Sequence, residues 1–159
     1  MVARLLHEAG ALVTAVLMEG DPAGGEAQDM YKEALAAGVT FTRHKNCGAS
    51  AFLPIVNADI VVDALFGTGF KGDLLEPCKE ACRVANACPA AVIALDIPSG
   101  VECDSGRCDP GAIRADYTLA FDSRKPLHVL PESADFCGRV VVIDIGIPDA
   151  VRRAALSQT

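Results

Sequence analysis

Residues 58–77 read ADIVVDALFGTGFKGDLLEP, and three signals follow one another along them. ADIVVDALFG reads as a buried strand, because apolar and β-branched residues run together with few polar interruptions. Gly67-Thr68-Gly69-Phe70-Lys71-Gly72 then spells G-x-G-x-x-G. Pro77 lies where the first turn of a helix tolerates a residue without an N–H, and that helix is expected to run to about Cys88. AAVIALDIPSG, at 90–100, supplies a second buried strand. Strand, glycine loop, helix and strand make a βαβ unit.

Outward from this unit the alternation continues. Residues 2–9 have helical spacing, ALVTAVLME reads as a strand, GEAQDMYKEALAAG as a helix ending at Gly38, and VTFTRH as a β-branched strand. A short helix is expected over 49–56, and ADYTLAFDS and RVVVIDIGIP read as two further strands. Such alternation predicts an α/β fold with a mostly parallel sheet and right-handed crossovers. The length, 159 residues, suits one domain, and no internal repeat, linker or low-complexity stretch divides it. With 51% hydrophobic and only 5% aromatic residues, the core must be built from Val, Ile, Leu and Ala.

The same totals exclude several classes of partner. A formal charge of −7 repels nucleic acids and anionic membranes. No apolar run reaches the roughly 18 residues of a membrane span, and His7 and Glu8 interrupt what would be the apolar centre of a signal peptide. Seven cysteines, an odd number scattered from 47 to 137, fit reduced thiols and a cytoplasmic location better than a disulfide framework. Cys78/Cys82 and Cys103/Cys108 lack the close repeats or histidine partners of a zinc site.

Parallel sheets bind ligands beyond the carboxyl ends of their strands. Asp63 stands near the end of one strand and Asp96 at the end of the next, each followed by a glycine-bearing loop. The glycines at 67, 69 and 72 let a backbone approach a phosphate, although a turn needing positive φ usually requires only one glycine. Alone, the unit suggests a nicotinamide dehydrogenase. Its position mid-chain, and the charges of Lys71 and Asp73 in the tight turn, resist that conclusion. Asp63, in so apolar a segment, must find a cation or hydrogen-bond donors. Asp96 precedes the rigid Ile97-Pro98-Ser99-Gly100 turn, and an active-site role is favoured over that of a turn-forming Asx residue. Lys125 is a candidate for phosphate contact; His128 is set aside as a loop histidine.

VVDALFGTGFKGDLLEP, VIALDIPSGVECDSG, GAIRADYTLAFDSRKPLHVL and GRVVVIDIGIP, in this order and spacing, resemble the NAD(P)H-hydrate epimerases, the family of the YjeF N-terminal domain. The resemblance runs from about residue 2 to residue 148. It implies a Rossmann-like three-layer α/β fold, and an enzyme that interconverts the R and S epimers of hydrated NADH or NADPH so that a separate dehydratase restores the cofactor. Gly67, Thr68, Gly69, Phe70, Lys71, Gly72 and Asp73 match the loop that contacts the hydrated nucleotide. Asp63 and Ser99 match positions that help hold a potassium ion, and Asp96 matches a substrate-contacting acid. Departure of the hydrate's hydroxyl leaves an iminium that water can attack from either face, which is general acid–base work for a carboxyl group. Asp96 is the expected catalytic residue. The dinucleotide is then substrate and not redox cofactor.

The resemblance also carries a departure. Family members begin with a helical segment, a first strand and a loop resembling G-x-x-N-N-G-G-D-G, whereas this sequence begins at MVARLLHEAG, which matches the helix after that loop. The expectation is one YjeF N-terminal-type domain over 1–159 that is incomplete at its N-terminus, through truncation or a misplaced start, and therefore weak in substrate binding and slow or inactive in turnover. Whether a homodimer forms is left open. A scaffold protein keeping the fold without catalysis is the competing class; retention of Asp63, Asp96 and the glycine loop speaks against it.

Overall fold

A computed structural model of the chain describes residues 1–148, 150, 151 and 153. They fall into two compact units, Met1–Asn57 and the chain from Ala58 onward. In the first, α1 (Val2–Glu8), β1 (Thr14–Leu17), α2 (Gly25–Ala37) and β2 (Thr40–Arg43) follow in order, with β1 and β2 paired in parallel from Thr14 opposite Thr40 to Leu17 opposite Arg43. α2 stops at Gly38, whose left-handed backbone (φ 102°) lets its N–H and that of Val39 turn back to the carbonyls of Leu35 and Ala34. Arg43 closes this unit: Nε donates to Asp21 at 2.6 Å, and Nη2 to the Tyr31 hydroxyl at 2.5 Å.

The helix expected over 49–56 is instead a single turn α3 (His44–Cys47), a 3-10 segment Gly48–Phe52 and a further turn α4 (Leu53–Val56). Pro54 lacks the N–H that would extend an α-helical ladder across the junction.

The second unit contains β3 (Ile60–Asp63), α5 (Cys78–Ala87), β4 (Ala91–Leu95), β5 (Tyr117–Phe121), α6 (Ala134–Cys137) and β6 (Arg139–Ile143). Its strands form a parallel sheet in the order β3-β4-β5-β6. The described strands thus make two parallel sheets, of two and four strands. Alternation is clean in the central strands, where Val92 and Ala94 of β4 and Thr118 and Ala120 of β5 are buried. The main apolar cluster lies beyond the strand ends, where Ile97, Val101, Ala112, Leu127 and Cys137 pack together.

Strands β3 and β4 are shorter than their apolar runs, for a local reason. After Asp63 the amide of Leu65 turns to the Asp63 carboxylate at 3.2 Å and that of Phe66 to Ser99 Oγ at 3.1 Å, so neither continues the ladder. After Leu95, Asp96 adopts a left-handed conformation (φ 67°), and the chain leaves β4. None of the seven cysteines forms a disulfide. Among the described residues no helix is long and apolar enough to cross a membrane.

Candidate functional site

The site is built from the loops that leave the carboxyl ends of the neighbouring strands β3, β4 and β5. Asp63, the last residue of β3, is opposite Ala94 in the register, which sets the β3 and β4 loops side by side. The β4 loop turns at Pro98-Ser99-Gly100-Val101, closed by the Val101 amide on the Pro98 carbonyl at 3.2 Å. Glycine is required here. Gly100 has φ 93°, and a Cβ on it would lie 2.8 Å from the Ala112 Cβ and from a Leu74 methyl.

That turn delivers Ser99 to Asp63. The Ser99 amide donates to Oδ2 at 2.7 Å and its hydroxyl to Oδ1 at 2.6 Å. Asp63 is only 4% exposed, and among the described residues it makes no ion pair. Burial raises its pKa above the usual carboxylate value, and the three hydrogen bonds from Ser99 and Leu65 offset only part of that effect. A buried carboxylate supported by neutral donors alone is what a cation would stabilise. The donors at hand are hard oxygens. No group of three or more His, Cys, Asp or Glu side chains is poised for a metal among the described residues. Asp63 and Ser99 Oγ are the residues that could hold a hard cation through oxygen.

The glycine loop divides into a free half and an anchored half. Gly67, Thr68 and Gly69 are exposed, and among the described residues their amides and that of Lys71 donate to no protein acceptor. Gly67 and Gly69 have no positive φ, and a Cβ on either would meet nothing within 4 Å. The fold itself does not demand glycine at these two positions, so open backbone is available to a ligand. Phe70, by contrast, is buried beside Phe66 (ring centroids 5.2 Å apart), and its amide returns to the Gly67 carbonyl at 3.0 Å.

Beyond it, Gly72 has φ 82° and its N–H donates to Glu102 at 2.9 Å. Arg107 donates to the Gly72 carbonyl at 2.8 Å and to Asp73 at 2.5 Å, and Lys71 pairs with Asp104 at 3.1 Å. The Gly72 amide above all, then the Ser105 hydroxyl and Arg107, hold the Glu102 carboxyl at about 2, well below its ordinary value. The segment 102–107 therefore clamps the second half of the loop. Sequence analysis singled out none of Glu102, Asp104 and Arg107; no local pattern pairs them with residues some thirty positions earlier.

Asp96 is held by three elements. Its amide donates to the Leu119 carbonyl of β5 at 2.9 Å, and its Oδ1 accepts the Phe121 amide at 3.0 Å and Lys125 Nζ at 2.5 Å. Lys125 Nζ also donates to the Phe121 carbonyl at 2.6 Å, so two of the three N–H bonds of the ammonium are taken within the protein. His128, set aside from sequence, is buried here. Its Nδ1 accepts the Lys125 amide at 3.0 Å, which assigns the proton to Nε2, and Nε2 donates to the Asp96 carbonyl at 2.9 Å. Burial, aided by the neighbouring Lys125 charge, lowers its pKa and favours this neutral form. A left-handed non-glycine residue costs of order 1–3 kcal/mol, and such strain concentrates at functional sites.

All ten residues expected at the site thus lie in the second unit, on loops at the carboxyl ends of β3 and β4. The family model for the YjeF-related protein N-terminus matches residues 1–127. The bifunctional NAD(P)H-hydrate repair enzyme of Leishmania braziliensis is 34% identical over 150 residues, which cover 94% of this chain and 26% of that protein. The NAD(P)H-hydrate epimerase of Elusimicrobium minutum is 42% identical over 94 residues, 59% of this chain and 42% of that protein. The Archaeoglobus fulgidus bifunctional NAD(P)H-hydrate repair enzyme Nnr is 42% identical over 95 residues, 60% and 20% of the two chains. This chain spans less than half the length of these curated relatives. The crystal structure of yeast ynu0 superposes with a TM-score of 0.73 at 20% identity, covering 96% of this chain and 63% of that one, a likeness of fold.

Proposed function

The chain belongs to the family of the YjeF-related protein N-terminus, and from that membership we propose that it is an isomerase interconverting the R and S epimers of hydrated NADH or NADPH. The observation that carries this reading is the glycine loop. Exposed, unspent amides at Gly67, Thr68, Gly69 and Lys71 follow the strand that ends in Asp63, and the next strand ends in Asp96. Four N–H groups in one exposed loop suit the oxygens of a pyrophosphate, and a largely covered carboxylate at the neighbouring strand end suits proton transfer.

The hydrate carries a hydroxyl on the ring carbon next to nitrogen. Asp96 would accept and return the proton that moves as water leaves and adds again, with no change in the redox state of the ring. Asp63 and Ser99 would hold a potassium ion, whose positive charge offsets the buried carboxylate and orders the two loops. Repair would be completed by a dehydratase acting on one epimer, in the cytoplasm where the reduced cofactors are used.

Incubation of one purified epimer with the protein, followed by chromatography of both epimers against a control without protein, tests the proposal. Faster approach to the equilibrium mixture, with unchanged ring absorbance from oxidation state, is expected. A ratio that follows the control overturns it.

A further inference from the structure

Asp96 and Lys125 leave two valences open beside each other. Asp96 Oδ1 is filled by the Phe121 amide and Lys125 Nζ, whereas Oδ2 has no partner among the described residues. Of the three N–H bonds of the Lys125 ammonium, one goes to Asp96 and one to the Phe121 carbonyl at 2.6 Å; the third has no acceptor among the described residues. Both side chains are about four-fifths covered, at 18% and 19% exposure, so the open acceptor and donor are partly shielded yet still reachable. The backbone confirms that this pair is the object of the local structure. Asp96 is held at φ 67°, His128 grips its carbonyl, and the same imidazole fixes the Lys125 amide.

An ionised carboxylate has only acceptor positions, whereas the ammonium beside it carries the N–H bonds. The ammonium is the acid of the pair. We propose that Lys125 is a second catalytic residue, the proton donor to the departing hydroxyl, and that Asp96 Oδ2 is the base toward the incoming water; this rests on the epimerase reading. The third Lys125 N–H protonates the ring hydroxyl while the C–O bond breaks. The bonding pair leaves with oxygen as water, and the ring nitrogen lone pair forms the iminium. Water adds to the other face, forming the new C–O bond and losing its proton to Asp96. The neutral amine then recovers a proton from the Asp96 carboxyl, which restores the pair. No electron is gained or lost, and water is the only other reactant.

The test compares Lys125→Arg, Lys125→Met and Lys125→Ala with the unaltered chain, using purified NADH-hydrate epimer and circular dichroism to confirm folding. Lys125→Arg keeps the charge opposite Asp96 but cannot release a proton in the working range. A fall of roughly 10²–10⁴-fold is expected in all three variants. Ethylammonium or methylammonium should raise the Lys125→Ala rate by about tenfold or more, with a dependence on the pKa of the added amine. A Lys125→Arg rate within about threefold of the unaltered chain would show that Lys125 only positions Asp96 and would overturn the proposal. Folded Lys125→Ala that ignores added amines would do the same. Should Lys125→Ala fail to fold, the Arg and Met variants, which retain the side-chain bulk, decide. An unaltered chain no faster than the protein-free control overturns the epimerase reading and this inference together; an active chain with an active Arg variant overturns this inference alone.

Discussion

Among single residues, Gly67 and Gly100 show how two glycines serve different ends. Gly100 combines φ 93° with contacts of 2.8 Å that any Cβ would make. Gly100→Ala should therefore cost about 1–2 kcal/mol in backbone strain and about 1–3 kcal/mol more in overpacking, read as a lowered urea midpoint. Gly67→Ala meets no neighbour, so its unfolding free energy should stay within about 0.5 kcal/mol of the parent. Its affinity for the hydrate, measured by calorimetry, should nevertheless fall if the loop receives a pyrophosphate, because a methyl group would stand where the ligand approaches. Asp96 is the complementary case. Asp96→Asn keeps the size of the side chain and should reduce epimer interconversion by roughly two to four powers of ten with the fold intact; a near-normal rate would reduce Asp96 to a turn residue.

At the level of elements, the glycine loop is held by a second loop and not by a strand or helix. The Arg107 contacts to Gly72 and Asp73 are solvent-exposed, and exposed pairs contribute little to global stability. Arg107→Ala should leave the urea midpoint nearly unchanged while amide exchange across 67–73 becomes faster, since local opening and global unfolding are separate events. The turn at Ser99 behaves differently. Ser99→Ala removes the hydroxyl that bonds the buried Asp63 and receives the Phe66 amide, and should cost about 1–3 kcal/mol in a denaturant titration. The elements also explain why strand lengths were overestimated from sequence. Apolar residues continue past Asp63 and Leu95, but the Leu65 and Phe66 amides turn to the side chains of Asp63 and Ser99 and the Ile97 amide to the Leu95 carbonyl, a competition that periodicity does not reveal.

Over the whole molecule, protonation and cation binding couple to folding through two buried groups. His128 has a lowered pKa, so the folded state resists its protonation. The stability it supports is complete above the ordinary value of 6.5 and is lost as pH falls from there through the folded value. Urea midpoints at about pH 7.5 and about pH 5.5 should differ by less in His128→Leu than in the parent. Asp63 has the opposite sign: its pKa is raised above 3.8, so stability is complete below that value and is lost as pH rises through the folded pKa. Above the folded pKa the ionised carboxylate opposes folding unless a cation accompanies it. Potassium should then raise the melting temperature more than lithium does at equal ionic strength, with a gain of about 2.7 kcal/mol at a hundred times its dissociation constant. Asp63→Asn should abolish the difference; equal melting curves in the two salts for the parent would remove potassium from the site.

The order of the main strands and helices, their parallel pairing, the family, the position of Asp63 and Asp96 at strand ends and that of Ser99 in the loop beyond were determined by the sequence alone. These features are local: apolar runs, glycines and prolines act on their own neighbourhood of the backbone, and four motifs in order are specific enough to identify relatives. Tertiary structure alone decided which hydrogen-bonding groups are already spent. It gave Lys125 to Asp96, made the dismissed His128 a buried support of the same residue, and divided the glycine loop into open amides at 67–69 and 71 and anchored positions at 70, 72 and 73. The physical reason is separation along the chain. Lys125 is 29 residues from Asp96 and Glu102 is 30 from Gly72, and only the parallel sheet, by setting successive strand ends side by side, brings such residues within hydrogen-bonding distance.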